Sequence, residues 1–316
     1  MKLDPRHLIQ LAAIMDSGTL RVAAERLGTT QPALSRTIAM MEERIGTPLF
    51  ERNRRPLTPT DTAVELAAFG RTIRGAVERA DFLSQQVMAG QYGSIRVGAP
   101  PFFCDHLLSR IIGEFTLTHP QVRVTLRADY FPALVKEIMG HRLDIVIGPF
   151  ELLEQENGLT VERLLQNRNI VACRPGHPLT RKREIRAEDL EAATWIGHSR
   201  ESVLSADMRA TLADLGVNRL NVVFESDSAG AMITLVREGD FLTVLPLLSL
   251  AQRVAAGEIV ALPTPRGGPG RWTGIISRSD SPQSVAMAEL KEHLAKEITA
   301  IVPLMNKLTA AGDRLA

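Results

Sequence analysis

The chain has 316 residues, 45% of them hydrophobic, with 37 Lys/Arg against 36 Asp/Glu. That length exceeds one ordinary core and fits two or three domains of a globular protein. A net charge of +1 excludes a whole-molecule field that would advertise nucleic acid, so any such signal has to be local.

The opening MKLDPRHLIQ has no uninterrupted apolar run behind its basic residue, so it does not read as a signal peptide and a cytoplasmic protein is expected. Asp4 before Pro5 is a helix start, a capping side chain followed by a residue tolerated in the first turn. Leu8, Leu11, Ala12 and Met15 then recur at helical spacing. "SGT" (17–19) stops that helix, and Thr19 can cap a second one carrying Val22, Ala23, Arg26 and Leu27. "GTT" (28–30) is a tight turn after which Thr30 can cap a third. There Leu34, Ile38, Met41 and Ile45 form one buried stripe, ended by Gly46. Gln31, Pro32, Ser35 and Arg36 fall off the stripe in the first two turns.

Two short helices joined by a Gly-containing turn make a helix-turn-helix, predicted within a domain spanning 1–58. Gln can pair with adenine and Arg with guanine, and residues at a recognition helix's N-terminus reach base edges. Periodicity alone also admits an αα-hairpin whose polar face is merely wet. Residues 1–58 carry nine Lys/Arg against six Asp/Glu, densest at "RNRRP" (52–56). A basic loop just after the recognition helix is where a wing would touch phosphates, which favours the DNA reading.

The stretch "AAERLGTTQPALSRTIAMMEERIGTPLFER" resembles the winged helix-turn-helix of LysR-type transcriptional regulators, including the "QPALS" start and the "MEERIGTPLFER" ending. The resemblance implies that Gln31, Pro32, Ser35 and Arg36 face the groove of double-stranded DNA, with Arg52, Arg54 and Arg55 in the wing. One departure is Asp61, where the family usually has Gly after "LTPT". The DNA reading survives it, since Thr58 can cap, Pro59 can open the next helix, and Asp61 suits the positive end of its dipole.

From Pro59 the chain reads helical to about Met88, a linker helix over 59–88. Leu66, Phe69, Ile73, Ala76, Ala80, Leu83 and Val87 alternate at spacings of 3 and 4, an a/d seam for two long helices and hence a homodimer. The other reading is a helix laid on its own domain's core. Two heads on one seam would bind two half-sites. The family resemblance implies a homotetramer of two dimers and admits RNA polymerase as a further partner. Residues 89–93 are the expected hinge.

From residue 94 short apolar runs alternate with helical patterns: "SIRVGA", "VRVTLRA", "LDIVIG", then "NIVACR", "TWIG", "NVVFES", "FLTVLP" and "RWTGIIS". Alternation of this kind predicts βαβ units with parallel strands. Two α/β lobes with crossovers near 164–168 and 262–270 account for the order: lobe I at 94–164 and 268–303, lobe II at 165–267, and a tail at 304–316. The fold class expected is α/β with an N-terminal all-α winged helix-turn-helix, a linker helix and a two-lobed, periplasmic-binding-protein-like effector domain. The longest apolar run, "FLTVLPLLSLA" (241–251), is too short to span a bilayer, so no membrane partner is expected. Cys104 and Cys173 form no CxxC pair, so no metal or disulfide framework follows.

No G-x-S-x-G elbow, P-loop or His/Glu metal spacing occurs, so no enzyme and no cofactor are expected. His119, His141 and His177 lie in apparent loops and suit structural or surface roles. Ligands of open α/β sheets bind beyond the carboxyl ends of strands. Those ends nominate Pro101, Phe102, Phe103, Phe131, Pro149, Ser199, Arg200, Ser202, Asp227 and Ser228 for a small-molecule effector. Many carboxylate-sensing members of the family that the chain resembles carry Ser or Thr where Phe102 and Phe131 stand here. Two rings in place of two hydroxyls suggest an aromatic or apolar effector, or a stacked sugar; the other reading is that the rings simply fill the cleft. A solute-binding module dimerised by its N-terminal helices is the alternative function.

Overall fold

The computed structural model describes residues 3–51, 57–88, 93–150, 158–199, 203–264, 270–281 and 284–313. They divide into two compact units. The first contains helices α1 (Pro5–Ser17), α2 (Leu20–Arg26), α3 (Gln31–Ile45) and α4 (Asp61–Met88). Local chemistry sets their ends. Asp4 Oδ1 accepts the Arg6 N–H at 2.9 Å, and the Thr19 and Thr30 hydroxyls accept the Val22 and Ala33 N–H groups. Each cap satisfies a backbone donor that the helix itself leaves unpaired. Gly18 and Gly46 close α1 and α3 in the left-handed region, where a Cβ would be strained. Leu34, Ile38 and Met41 are buried with Leu8, Leu11, Ile14, Ala23 and Leu49 in one core. Each large apolar side chain there contributes about 1.5–3 kcal/mol.

After α3 the chain doubles back. Glu51 N–H donates to the Thr58 carbonyl and Thr60 N–H to the Leu49 carbonyl, both at 2.9 Å, with Phe50 bridged to Pro59. This narrow ribbon corrects the expected start of the long helix. Residues 58 and 59 belong to the ribbon, so α4 begins at Asp61, and Thr60 Oγ1, rather than Thr58, accepts the Ala63 N–H at 3.4 Å. Glu42 Oε1 accepts the Leu49 N–H at 2.7 Å and ties the ribbon to α3. Small residues let α4 lie close on α1: Ala63 and Ala67 are buried, and a Cβ on Gly70 would run into the Leu8 carbonyl.

The second unit holds strands β1 (Gly93–Ala99), β2 (Val122–Ala128), β3 (Ile145–Pro149), β4 (Leu159–Asn167), β5 (Asn169–Cys173), β6 (Thr194–Gly197), β7 (Asn221–Glu225), β8 (Phe241–Pro246), β9 (Val260–Ala261) and β10 (Arg271–Arg278). Its helices are α5 (Pro101–Phe103), α6 (Ser109–Thr118), α7 (Phe131–Met139), α8 (Ala187–Glu191), α9 (Val203–Asp214), α10 (Ala229–Glu238), α11 (Leu247–Ala255), α12 (Val285–Thr299) and α13 (Val302–Asp313). Two five-stranded sheets form, in the orders β2-β1-β3-β10-β4 and β7-β6-β8-β5-β9.

β1 runs parallel to β2 and β3, and β6 parallel to β7 and β8, as βαβ units require. The expectation of parallel strands fails where the chain changes sheets. β10 is antiparallel to β3 and β4, and β5 to β8 and β9. Among the described residues no helix lies between β4 and β5 or between β9 and β10 to return the chain to the same end. β4 was not expected as a strand, and it stays in the first sheet to Asn167, beyond the expected lobe boundary at 164. Its alternation breaks at Leu164–Leu165, where the register against β10 shifts, as at a bulge. The expected tail also differs: α13 continues to Asp313, because Met305 is buried and Leu304 and Leu308 pack on the first sheet's core.

Candidate functional site

The first face is on α3. Gln31, Pro32, Ser35 and Arg36 are all exposed, while Leu34, Ile38 and Met41 in the same helix are buried. The cap at Thr30 and Pro32 in the first turn fix the helix start, so the four side chains occupy adjacent turns of one outward face. Arg52, Arg54 and Arg55 lie outside the described residues.

The second face is on α4. Leu66 and Ile73 are partly buried against the head's own core, but Phe69 is 63% exposed and Ala76 and Ala80 are exposed. Val77 beside them is 50% exposed. The side chains of Leu83 and Val87 lie outside the described residues. Ala63, Ala67 and Gly70, which meet α1, sit about a third of a turn round the helix from Phe69. Among the described residues α4 therefore carries two apolar stripes, one buried against α1 and one exposed.

The third feature is a cavity of about 550 Å³ in the α/β unit. Phe102 and Phe103 of α5, Pro149 at the end of β3 and Pro246 at the end of β8 form part of its wall. The rest comes from elements that the sequence did not nominate: residues 166–169 between β4 and β5, Leu204, Asp207, Ala210, Thr211 and Asp214 of α9, and Gly270–Thr273. The Arg271 guanidinium is held by both oxygens of Asp207, at 2.7 and 2.8 Å. Asn167 is buried and its Oδ1 accepts the Leu248 N–H at 3.0 Å. Asn169 Nδ2 donates to Thr211 Oγ1 at 3.1 Å. Arg163 lies 5.9 Å from the Trp272 ring centroid and steadies that ring.

The other nominated residues lie elsewhere. Phe131 packs so closely on Gly148 that a Cβ there would strike its ring. Pro101 and Ser199 are half-buried outside the cavity wall. Asp227 and Ser228 are exposed: the Asp227 carbonyl accepts the Tyr130 hydroxyl at 3.3 Å, and Ser228 Oγ caps α10 through the Ala231 N–H. Arg200 and Ser202 lie outside the described residues. His198, just after β6, is 5% exposed and its Nδ1 has no hydrogen-bond partner among the described residues. Burial pushes its pKa down to about 4, against the pull of Asp227. His177 is buried and structural, its Nδ1 accepting the Leu179 N–H at 3.2 Å, and His119 stacks on Phe115. Burial pushes the Cys104 and Cys173 thiols up to about 12, so neither is poised as a thiolate.

An exposed polar helix face on a small head, joined by a long helix to a two-sheet domain with a cavity, defines a DNA-binding regulator with a ligand-binding domain. Residues 5–64 match the model described as bacterial regulatory helix-turn-helix protein, lysR family, and residues 89–299 match the LysR substrate binding domain. The chain belongs to the LysR family of transcriptional regulators. It is 30% identical to the SDS degradation transcriptional activation protein of a Pseudomonas species, over 91% of this chain and 95% of that one. It is 27% identical to the transcriptional activator protein LysR of Escherichia coli, over 81% of each. In fold it is similar to CbnR, a LysR family regulator solved alone and with its target DNA, with TM-scores of 0.59 and 0.60 at 20% identity. These span 94% and 93% of this chain, and 99% and 100% of CbnR.

Proposed function

We propose that this LysR-type regulator reads its operator through Gln31, Pro32, Ser35 and Arg36, with Arg52, Arg54 and Arg55 on the phosphate backbone. Two heads are joined along the bare stripe of α4, and a small effector in the cavity of the α/β domain changes the affinity. The observation that carries the reading is the division of α3: groove-compatible side chains on its outer face, apolar ones locked inside. Dimerisation is supported by Phe69, a large apolar side chain left 63% exposed on α4. Coupling requires the effector to bind two domain conformations unequally. A DNA target is the reason to expect the protein in the cytoplasm, and relatives named as transcriptional activators support regulation rather than catalysis as its role.

The test is operator binding by two variants across a salt series. Arg36→Ala should lose about 1–3 kcal/mol at one base position and relax specificity there. Arg54→Ala should weaken binding to every sequence and flatten the salt dependence by about one counterion. Unchanged operator affinity in both variants would refute the groove assignment.

A further inference from the structure

We propose that the cavity takes an uncharged aromatic ligand bearing an adjacent hydrogen-bond acceptor and donor, the pattern of an aromatic carboxamide or lactam, and discriminates against the matching carboxylate. This deepens the reading above and rests on the cavity being the effector site.

The charge of the wall decides against an acid. Its charged residues are two arginines, Arg168 and Arg271, and two aspartates, Asp207 and Asp214. Arg271 already gives both guanidinium arms to Asp207, so a ligand carboxylate would have to displace an intramolecular one. Entry of an acid would also bring a third negative charge beside the two aspartates.

Two carboxamides decide what replaces the acid. Asn167 uses its Oδ1 to accept the Leu248 N–H, which fixes the orientation of the group. Its Nδ2 has no partner among the described residues, although the side chain is 93% buried, being 7% exposed, and it lines the cavity. Asn169 is fixed by a chain of donors. The single Thr211 hydroxyl hydrogen goes to the Asp207 carbonyl at 2.9 Å, so Thr211 Oγ1 must accept from Asn169 Nδ2. That leaves Asn169 Oδ1 as an acceptor facing the cavity without a partner among the described residues. The wall therefore offers one donor and one acceptor two residues apart, held by bonds behind them. A carboxylate answers only the donor and leaves the acceptor facing negative charge; a carboxamide answers both. Phe102, Phe103 and Trp272 supply the apolar surface for a ring.

The experiment uses the full chain and matched pairs, benzamide with benzoate and salicylamide with salicylate, followed by saturation-transfer NMR and calorimetry. Each amide should bind at least about tenfold more tightly than its acid. Asp207→Asn should raise affinity for the acids by freeing Arg271, while Asp207→Glu keeps the amide preference. Ala210→Trp, which fills the cavity, should abolish binding of either. Acids binding as well as amides to the unmodified chain, with Ala210→Trp still abolishing both, would overturn the ligand class and leave the cavity as the site. Binding undiminished by Ala210→Trp would instead remove the cavity as the site. Silence of both amides at roughly 10 mM would also overturn the ligand class.

Discussion

Asp144 accepts three hydrogen bonds from Arg96: Nη2 to Oδ1 at 2.9 Å, Nε to Oδ2 at 3.1 Å, and the backbone N–H to Oδ2 at 2.9 Å. The carboxylate is 2% exposed and the guanidinium 25%. The group sits just before β3 and grips the neighbouring strand β1, so one side chain fixes where the two strands meet. Asp144→Ala strands the Arg96 charge and one backbone N–H. The expected cost is about 2–4 kcal/mol, below the top of the range for a broken buried pair because Arg96 keeps some water. Urea unfolding of the α/β unit, followed by tryptophan fluorescence, measures it.

Asp16 joins α1 to α4 by accepting from Arg71 and Arg74, each at 2.9 Å. Burial alone would raise its carboxyl, but the two guanidiniums outweigh burial and hold it below the ordinary aspartate range. A carboxyl depressed in the folded state stabilises the fold fully above its unfolded value and loses that contribution as pH falls through the folded one. The contact should therefore weaken only below about pH 4. Hydrogen exchange of the α1 and α4 amides should show an acid-triggered opening there, and Asp16→Asn should show the looser state at every pH.

His198 behaves in the opposite range. Its folded pKa is pushed to about 4 from 6.5, so the unfolded chain binds the extra proton first. Stability is complete above pH 6.5 and declines as pH falls toward about 4, where the loss levels off. The slope within that window is roughly 1.4 kcal/mol per pH unit. His198→Gln should remove this slope from the unfolding free energy of the α/β unit. Identical slopes in the two proteins would mean that the imidazole is not held neutral.

Phe69 is the most exposed large apolar side chain described on α4. Phe69→Glu should convert the dimer to monomer in sedimentation experiments and lower operator affinity by at least about tenfold, because two half-sites would then be bound independently. The fold of each head should survive, since Phe69 lies about a third of a turn from the buried Ala63–Ala67–Gly70 stripe.

The head was legible because each of its signals is local. Asp4, Thr19 and Thr30 cap the helices they precede, and the spacing of Leu34, Ile38 and Met41 finds the buried face. The ribbon was missed because Pro59 also suits a first helical turn, and only pairing with Phe50 decides between the two. The cavity was half legible. Strand ends located Phe102, Phe103 and Pro149, which a parallel sheet presents at one edge. Asn167, Asn169 and Trp272 come from strands that change sheets, and that rule does not reach them. The polar run "QNRN" (166–169), interrupting an apolar texture, was their one trace in the sequence. Phe131 was nominated at a strand end but turns onto Gly148, a contact that no spacing encodes.

The chain passes from one sheet to the other at Arg168 and returns between Ala261 and Arg271, and the strands flanking these passages pair, Asn167 opposite Arg271 and Ala172 opposite Ala261. Between β4 and β5 the link from one sheet to the other is the single residue Arg168. Asn167 and Arg271 both belong to the cavity wall. A molecule bound in that wall would therefore touch both strands that flank the single-residue link between the sheets.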